Sequence, residues 1–297
     1  MTDQYAKQVL VSTDWLNANL DSPTVRIVEV DEQPDLYGEG HVPGAVKLHW
    51  KNDLQDAVRR DVVDPRRFAE LLGNAGIGND TTVVLYGDRN NWFAAYAYWY
   101  LKLYRHVDVR IVDGGRDKWI TEGRTLTTDV PAHTPVVYEV PNGIDESIRV
   151  FREEVRDVIG AGSASLVDVR SPAEYRGELL TADGYPDEGA SRGGHIPTAR
   201  NVPWATAVAA DGTFKPRAEL EQLYGAQGVT GDEPVIAYCR IGERSSHTWF
   251  VLRELLGHDD VRNYDGSWTE WGNLVAAPIA TGEATREEEA KLLVGAR

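Results

Sequence analysis

The stretch PVIAYCRIGERSSHTWFVLRELLG, residues 234–257, joins the pattern of a buried strand to that of a helix. Its first part, residues 234–238, is a short apolar run typical of a strand. Apolar residues then recur at helical spacing from Trp249 to Leu256, and a glycine suited to a helix C-terminus follows. The only cysteine of the chain, Cys239, therefore lies where a strand ends and a helix is about to begin.

The loop after Cys239 predicts an anion site with a reactive thiol. Backbone N–H groups in a tight loop and in a first helical turn lack partners and point at an anion held between them. Arg240 and Arg244 add positive charge, and Gly242 permits a sharp backbone path. Because the arginines oppose burial, we expect Cys239 to be a nucleophilic thiolate at neutral pH. The alternative is a buried, inert cysteine, which is common for free thiols.

The composition limits the possible functions. The chain has 297 residues, 42% of them hydrophobic, which is enough for about two domains. Its net charge of −16 opposes binding to nucleic acids and to anionic membranes. A single cysteine excludes an internal disulfide framework and any multi-cysteine metal site. The start of the chain lacks a signal-peptide pattern and no apolar stretch is long enough to cross a bilayer, so we expect a cytoplasmic protein.

The sequence contains an internal repeat. Residues 83–87, VVLYG, align with residues 235–239, VIAYC, at a shift of 152 positions (239 − 87). Upstream, HVP at 41–43 aligns with HIP at 195–197 at a shift of 154 positions (195 − 41). The same shift of 152 also pairs other residues without a gap: His106 with His258, Asp113 with Asp265, Gly114 with Gly266, and Trp119 with Trp271. Two copies of one domain follow from this alignment.

Each copy alternates strand-like runs with helical segments, which predicts an α/β fold with a parallel sheet. We place the first domain at 1–126, a proline-containing linker at 127–150 and the second domain at 151–297. The first copy has glycine at the position of Cys239, so we expect it to be catalytically silent. The second copy carries 16 extra residues, 177–192, which either shape the mouth of the Cys239 site or form a surface loop.

Three motifs resemble the two-domain rhodanese-type sulfurtransferases, and most of all the actinobacterial thiosulfate sulfurtransferases. They are YGEGHVPGA at 37–45, CRIGER at 239–244 and YDGSWTEW at 264–271. The resemblance implies two tandem rhodanese-like domains, each a parallel sheet flanked by helices. It also implies a thiosulfate sulfurtransferase in which Cys239 attacks the outer sulfur of thiosulfate, releases sulfite and becomes a persulfide.

A small-molecule thiol or cyanide would then accept the sulfur, and the reaction would need no metal or cofactor. Because the chain has no second cysteine, the acceptor must come from outside it. Besides the catalytic cysteine, we predict that a set of neighbouring residues binds the substrate: Arg240, Ile241, Gly242, Glu243, Arg244, Asp168 and Arg170.

The charge of the loop bears on the choice of donor. Vertebrate thiosulfate enzymes are similar but place a lysine at the position of Ile241. Here Glu243 offsets one arginine, which leaves a formal charge of +1 and favours a dianion over 3-mercaptopyruvate, the alternative donor. Glu243 either orients Arg244 or points to water.

Two further classes of function are alternatives. A cysteine phosphatase has five residues between cysteine and arginine, whereas four residues separate Cys239 from Arg244. A non-catalytic sulfur carrier would accept a persulfide and pass it only to a docked protein. Failure to hydrolyse an aryl phosphate argues against the phosphatase, and repeated turnover with small molecules alone argues against the carrier.

Overall fold

The computed structural model describes residues 4–140, 143–181, 189–283, 288, 289 and 292. The described residues form two compact units. The first unit comprises residues 7–146 and 208–215, and the second comprises residues from 1–6, 147–207 and 216–297. Each unit contains one five-stranded sheet.

The first unit has a fully parallel sheet flanked by helices. The strands are β1 (Leu10–Val11), β2 (Val25–Glu29), β3 (Val46–Lys47), β4 (Thr82–Tyr86) and β5 (Val109–Val112). They lie in the order β1-β5-β4-β2-β3. The helices are α1 (Thr13–Ala18), α2 (Leu36–Glu39), α3 (Pro65–Asn74), α4 (Asp88–Leu103) and α5 (Gly115–Thr121).

The second unit repeats this arrangement. Its strands are β6 (Arg149–Val150), β7 (Ser165–Asp168), β8 (Arg200–Asn201), β9 (Val235–Tyr238) and β10 (Val261–Tyr264), in the parallel order β6-β10-β9-β7-β8. Its helices are α6 (Arg152–Ala161), α7 (Pro172–Arg176), α8 (Arg217–Gly225), α9 (Glu243–Phe250) and α10 (Ser267–Trp271), and a π-helical segment, Val251–Leu255, continues α9. The two strand orders correspond one to one, so the predicted duplication and α/β fold are confirmed.

The central strands explain the apolar runs of the sequence. β4 and β9 each lie between two other strands, and a parallel strand covered by helices on both faces needs apolar residues at consecutive positions. Val83, Val84 and Leu85 are accordingly fully buried, as is the whole of β9. The loop after β9 therefore opens at the carboxyl edge of the sheet, between the ends of β7 and β10, where α/β proteins place their sites.

Part of the predicted linker belongs to the first unit. The described residues among 127–146 belong to that unit. Thr127 and His41 exchange two backbone hydrogen bonds of 2.8 Å, and the Val136 N–H donates to the Gly73 carbonyl at 3.0 Å. These bonds satisfy the backbone of a segment that has little regular structure of its own.

The insertion at 177–192 lies partly outside the described residues, which omit 182–188. At its start, the side chains of Leu179 and Leu180 are 41% and 51% exposed. At its end, Arg192 donates to three carbonyls just after α10, those of Gly272 (3.2 Å), Leu274 (2.5 Å) and Ala277 (3.1 Å). The described part of the insertion thus begins on the surface and ends anchored to the segment after α10. Residues 182–188, on which its role also depends, lie outside the described residues.

Candidate active site

Cys239 directly follows β9, and its side chain is fully buried. The first turn of α10 holds its backbone: the Cys239 N–H donates to Ser267 Oγ, and the Trp268 N–H donates to the Cys239 carbonyl, both at 3.1 Å. Thr269 donates to the Arg240 carbonyl from its N–H at 2.9 Å and from its hydroxyl at 2.8 Å. The backbone on both sides of the sulfur is therefore held in place by the protein itself.

The loop folds back so that its amides face the sulfur. Gly242 adopts a left-handed conformation with φ 94° and forms the N-cap of α9. Its N–H donates to Cys239 Sγ at 3.2 Å. The backbone N–H of Ser245 also favours the ionised form of the sulfur. Two backbone donors thus face Sγ, as the position between a strand and a helix predicts.

The turn at residue 242 accepts only glycine. A Cβ at this position would lie 2.7 Å from Asp265 Cα, and the left-handed φ would add strain. We expect Gly242→Ala to lower the free energy of unfolding by about 1–3 kcal/mol and to slow alkylation of the folded thiol. Chemical denaturation and the rate of reaction with iodoacetamide measure the two effects. In the control, Gly225→Ala, the added Cβ meets nothing within 4 Å, and equal behaviour of the two variants would contradict this account.

Glu243 faces the sulfur. Its Oε2 lies 3.2 Å from Cys239 Sγ and accepts the Ile241 N–H at 3.1 Å, and its Oε1 lies 3.4 Å from Arg240 Nη2. The expectation that Glu243 points to water is wrong, because the residue is fully buried. Its contacts also differ from the other alternative, in which it orients Arg244. The carboxylate instead lies inside the loop, against the thiol.

Arg244 pairs with a residue that the sequence analysis did not select. Its Nη1 and Nη2 bind Glu174 Oε2 and Oε1 at 2.9 and 3.0 Å, and both side chains are almost completely buried. Burial by itself would raise the pKa of the Glu174 carboxyl, but the hydrogen bonds and charge of Arg244 outweigh it and hold the pKa at about 2. Ser171 and Glu174 also form the capping box of α7. That spacing, SPAE at 171–174, predicts a helix start from the sequence, but it does not predict the ion pair with Arg244, 70 residues later.

Asp168 and Arg170 pair with each other. Arg170 donates to Asp168 Oδ2 at 2.6 Å, and its guanidinium carbon lies 4.5 Å from the centre of the Trp268 ring in α10. The first unit has a corresponding buried pair at the end of β2, where Arg116 Nη1 lies 2.6 Å from Glu29 Oε1. Arg116 aligns with Trp268 in the repeat, so the two domains supply the buried cation from different positions. Asp168 and Arg170 thus support the helix that holds the Cys239 loop, and direct substrate binding by either stays a prediction.

Comparison with known proteins identifies the family. A family model described as a rhodanese-like domain matches residues 12–122 and 151–274. The chain belongs to the rhodanese family. It is 58% identical over 279 residues to sulfur carrier protein TtuD of Thermus thermophilus, covering 93% of this chain and 98% of that protein. It is 59% identical over 273 residues to a Saccharopolyspora erythraea protein named "Putative thiosulfate sulfurtransferase", covering 92% of this chain and 96% of the relative.

A solved structure shares the two-domain rhodanese architecture. A complex of an EanB variant, in which ergothioneine is covalently linked with a persulfide cysteine, superimposes with a TM-score of 0.79 at 26% identity. The match covers 93% of this chain and 71% of that chain. Together with the relatives above, it confirms the predicted resemblance to two-domain rhodaneses and to actinobacterial sulfurtransferases.

The first rhodanese domain has a different loop at the equivalent place. Gly87 aligns with Cys239, and a Cβ at Gly87 would overlap the Val30 carbonyl oxygen. Asn91 aligns with Glu243. Its Oδ1 accepts the Gly87 N–H at 3.1 Å, and its Nδ2 donates to the Val112 carbonyl at 2.7 Å. A glycine and an amide thus occupy the positions of the thiol and the acid, which supports the prediction that this domain is silent.

The state of the thiol differs from the prediction. Burial raises the pKa of the Cys239 thiol, and the adjacent Glu243 carboxylate raises it further. The charge of Arg244 and the Ser245 N–H act in the opposite direction but do not reverse the sign. The expectation that Cys239 is a thiolate in the free rhodanese is therefore wrong.

Burial is the largest cause, and the neutralisation of the two arginines leaves little positive charge to oppose it. Arg240 and Arg244 face Glu243 and Glu174, so these four groups have a formal charge of zero rather than the +1 predicted from the loop alone. The same pairing explains how both arginines can be buried. Each side chain is only 6% exposed, and each guanidinium charge is offset by a carboxylate.

Within the described ranges of this rhodanese, three or more histidine, cysteine, aspartate or glutamate side chains nowhere cluster in a way that could hold a metal ion. In the same part of the chain, every helix is too short or too polar to cross a membrane.

Proposed function

We propose that this rhodanese-type sulfurtransferase moves the outer sulfur of thiosulfate to a thiophilic acceptor through a persulfide on Cys239. The observation that carries the proposal is the position of Sγ, 3.2 Å from the Gly242 N–H at the start of α9 and inside a loop that carries Arg240 and Arg244. Donors placed in this way stabilise the negative charge of a thiolate and then of a persulfide.

In the first half-reaction, Cys239 Sγ attacks the outer sulfur of thiosulfate. The new bond joins Sγ to that sulfur, the bond to the central sulfur breaks, and its electron pair leaves with sulfite. The Gly242 and Ser245 N–H groups then face the persulfide, and the positive charge of Arg244 also favours an anionic sulfur. This is covalent catalysis by an activated cysteine, and it requires no metal or cofactor.

In the second half-reaction, cyanide or a thiol attacks the outer sulfur and restores Cys239. The acceptor comes from outside, because the chain has one cysteine and cannot resolve the persulfide with a second. The same lack of a second cysteine suits a cytoplasmic protein, since thiols stay reduced in that compartment. The first domain takes no part in the chemistry.

The donor assignment rests on the relatives named for thiosulfate, because the four charged groups around Cys239 cancel and loop charge does not separate thiosulfate from 3-mercaptopyruvate. A specific observation favours a second candidate function. The 58% identical relative from Thermus thermophilus is named a sulfur carrier protein, and Cys239 is fully buried. A carrier would form the same persulfide but release it only to a protein.

Intact-protein mass spectrometry tests the proposal. After incubation with thiosulfate, we expect a mass gain of one sulfur atom on Cys239, and after addition of cyanide we expect its loss together with formation of thiocyanate. Absence of the gain with thiosulfate, combined with a gain from 3-mercaptopyruvate, would assign the other donor. Absence of the gain with both would overturn the persulfide mechanism.

Turnover separates the enzyme from the carrier. Repeated formation of thiocyanate from thiosulfate and cyanide, without added protein, is expected of the enzyme. A single sulfur atom taken up and never released to cyanide or to a small thiol would instead assign the carrier function.

A further inference from the structure

The contact between Cys239 and Glu243 is buried inside the protein. The two side chains are fully buried, and 3.2 Å separates Sγ from Oε2. Sγ lies in hydrogen-bond distance of a carboxylate oxygen and can donate its proton to it, so attack of the sulfur on a donor must leave this proton on another group. A buried group that loses a proton needs an acceptor within hydrogen-bond reach, since water cannot collect it directly.

The charged and titratable groups around this contact leave Glu243 as that acceptor. Four of them are already engaged: Arg240 and Arg244 are cations and donors, Glu174 is bound by Arg244, and Asp265 is paired with Arg149 at 2.9 Å. His247 lies one turn further along α9. Among the described residues, Glu243 is the only carboxylate with an oxygen in hydrogen-bond distance of Sγ.

We propose that Glu243 takes the proton of Cys239 during attack on the donor and holds it for as long as the persulfide exists. This inference rests on the proposed sulfur transfer and adds a second catalytic residue to it. The sequence analysis predicted that Glu243 binds the substrate, whereas its contact with Sγ supports a role as proton acceptor.

The proton and charge balance are complete. The pair begins as a thiol and a carboxylate, with one negative charge. After sulfite leaves with the electron pair of the broken bond, the pair is a persulfide anion and a carboxylic acid, again with one negative charge. When cyanide removes the outer sulfur as thiocyanate, the Cys239 thiolate recovers the proton from Glu243. No other reactant is needed.

Because the total charge of the Cys239–Glu243 pair does not change, the carboxylic acid of Glu243 can lie beside the persulfide anion. An ionised Glu243 next to a persulfide would place two negative charges close together in a buried site, which is strongly unfavourable. With the proton on Glu243, the acid becomes a hydrogen-bond donor to the sulfur. The Ile241 N–H and Arg240 hold the carboxylate in position for both steps.

The test is the pH dependence of a single turnover, followed as persulfide formation by rapid quench and mass spectrometry. In the wild-type protein we expect a nearly constant rate between about pH 6 and pH 8, because the acceptor is internal. In Glu243→Gln the proton has no acceptor, so we expect a rate at pH 7 reduced by roughly 100-fold or more. This rate should rise about tenfold per pH unit, because only the thiolate fraction reacts.

The direction of the rate change in Glu243→Gln distinguishes proton transfer by Glu243 from a purely electrostatic effect of its charge. If Glu243 only repelled the thiolate, Glu243→Gln would lower the pKa of the thiol and react faster than wild type, which would overturn the proposal. Glu243→Asp, which keeps the carboxylate, should be slower than wild type with the same flat pH profile. It also serves as the test if the glutamine variant does not fold, and a steep profile in it would count against the proposal.

The matched control is Glu221→Gln, which removes an exposed carboxylate of α8 in the same domain and should match wild type throughout. Failure of the proposed function is recognised separately, because the wild-type protein would then form no persulfide at any pH.

Discussion

Replacement of Cys239 by serine is expected to reduce sulfur transfer by at least about 1,000-fold while leaving the protein folded. The serine hydroxyl nearly matches the thiol in size, so the fully buried site should still pack. It is a far weaker acid than the thiol and cannot form a persulfide. Steady-state formation of thiocyanate from thiosulfate and cyanide measures the loss, and chemical denaturation measures the stability.

Cys239→Ala serves as the second variant, because it lacks any nucleophile and should lose activity to the same extent. Mass spectrometry after thiosulfate should show no added sulfur in either variant. Activity retained in both folded variants would mean that sulfur moves without Cys239, and the mechanism would have to be abandoned.

The second large effect is expected on stability, in Glu174→Gln. The substitution leaves the buried Arg244 without its carboxylate, and removal of one partner of a buried ion pair typically costs about 3–5 kcal/mol. Urea denaturation should show this loss. The control is Glu178→Gln, which breaks an exposed pair with Arg176 and should change the free energy of unfolding by less than about 1 kcal/mol.

The same variant should make the thiol more reactive. Arg244 lowers the pKa of the Cys239 thiol, and without Glu174 its charge is no longer neutralised. In the folded fraction, alkylation of Cys239 by iodoacetamide near neutral pH should therefore be faster than in wild type. A variant that is as stable as wild type and alkylates at the same rate would show that the pair has no such influence.

Acid should remove the contribution of this pair. The folded pKa of Glu174 is about 2, below the value of about 4.3 for an unfolded glutamate, so folding favours the ionised carboxylate. The stabilisation, on the order of 3 kcal/mol, is fully present above about pH 5 and is lost as the pH falls towards 2. The stability difference between wild type and Glu174→Gln should shrink over that range, and a constant difference would contradict the assignment.

The fold could be predicted from local patterns and from the repeat. Apolar runs such as Val83–Leu85 and Val235–Ala237 mark strands that are covered on both faces, and that requirement is local enough to appear in the sequence. The shift of 152 residues then maps the first domain from β4 to α5 onto the second domain, whereas β1, β2 and β3 correspond to β6, β7 and β8 at other shifts. The linker was less predictable, because Thr127 and Val136 attach to the first unit through backbone hydrogen bonds that leave no pattern in the side chains.

The sequence by itself determined the family, the duplication and the placement of the one cysteine between a strand and a helix. Only the tertiary structure decided the state of that cysteine. Glu243 could face Arg244, water or the sulfur, and the conformation of the loop selected the sulfur. Glu174 comes from another element, 70 residues before Arg244, and cancels a charge that appears free in the loop. Burial and ion pairing depend on which distant side chains meet, and a charge count along the chain cannot contain that information.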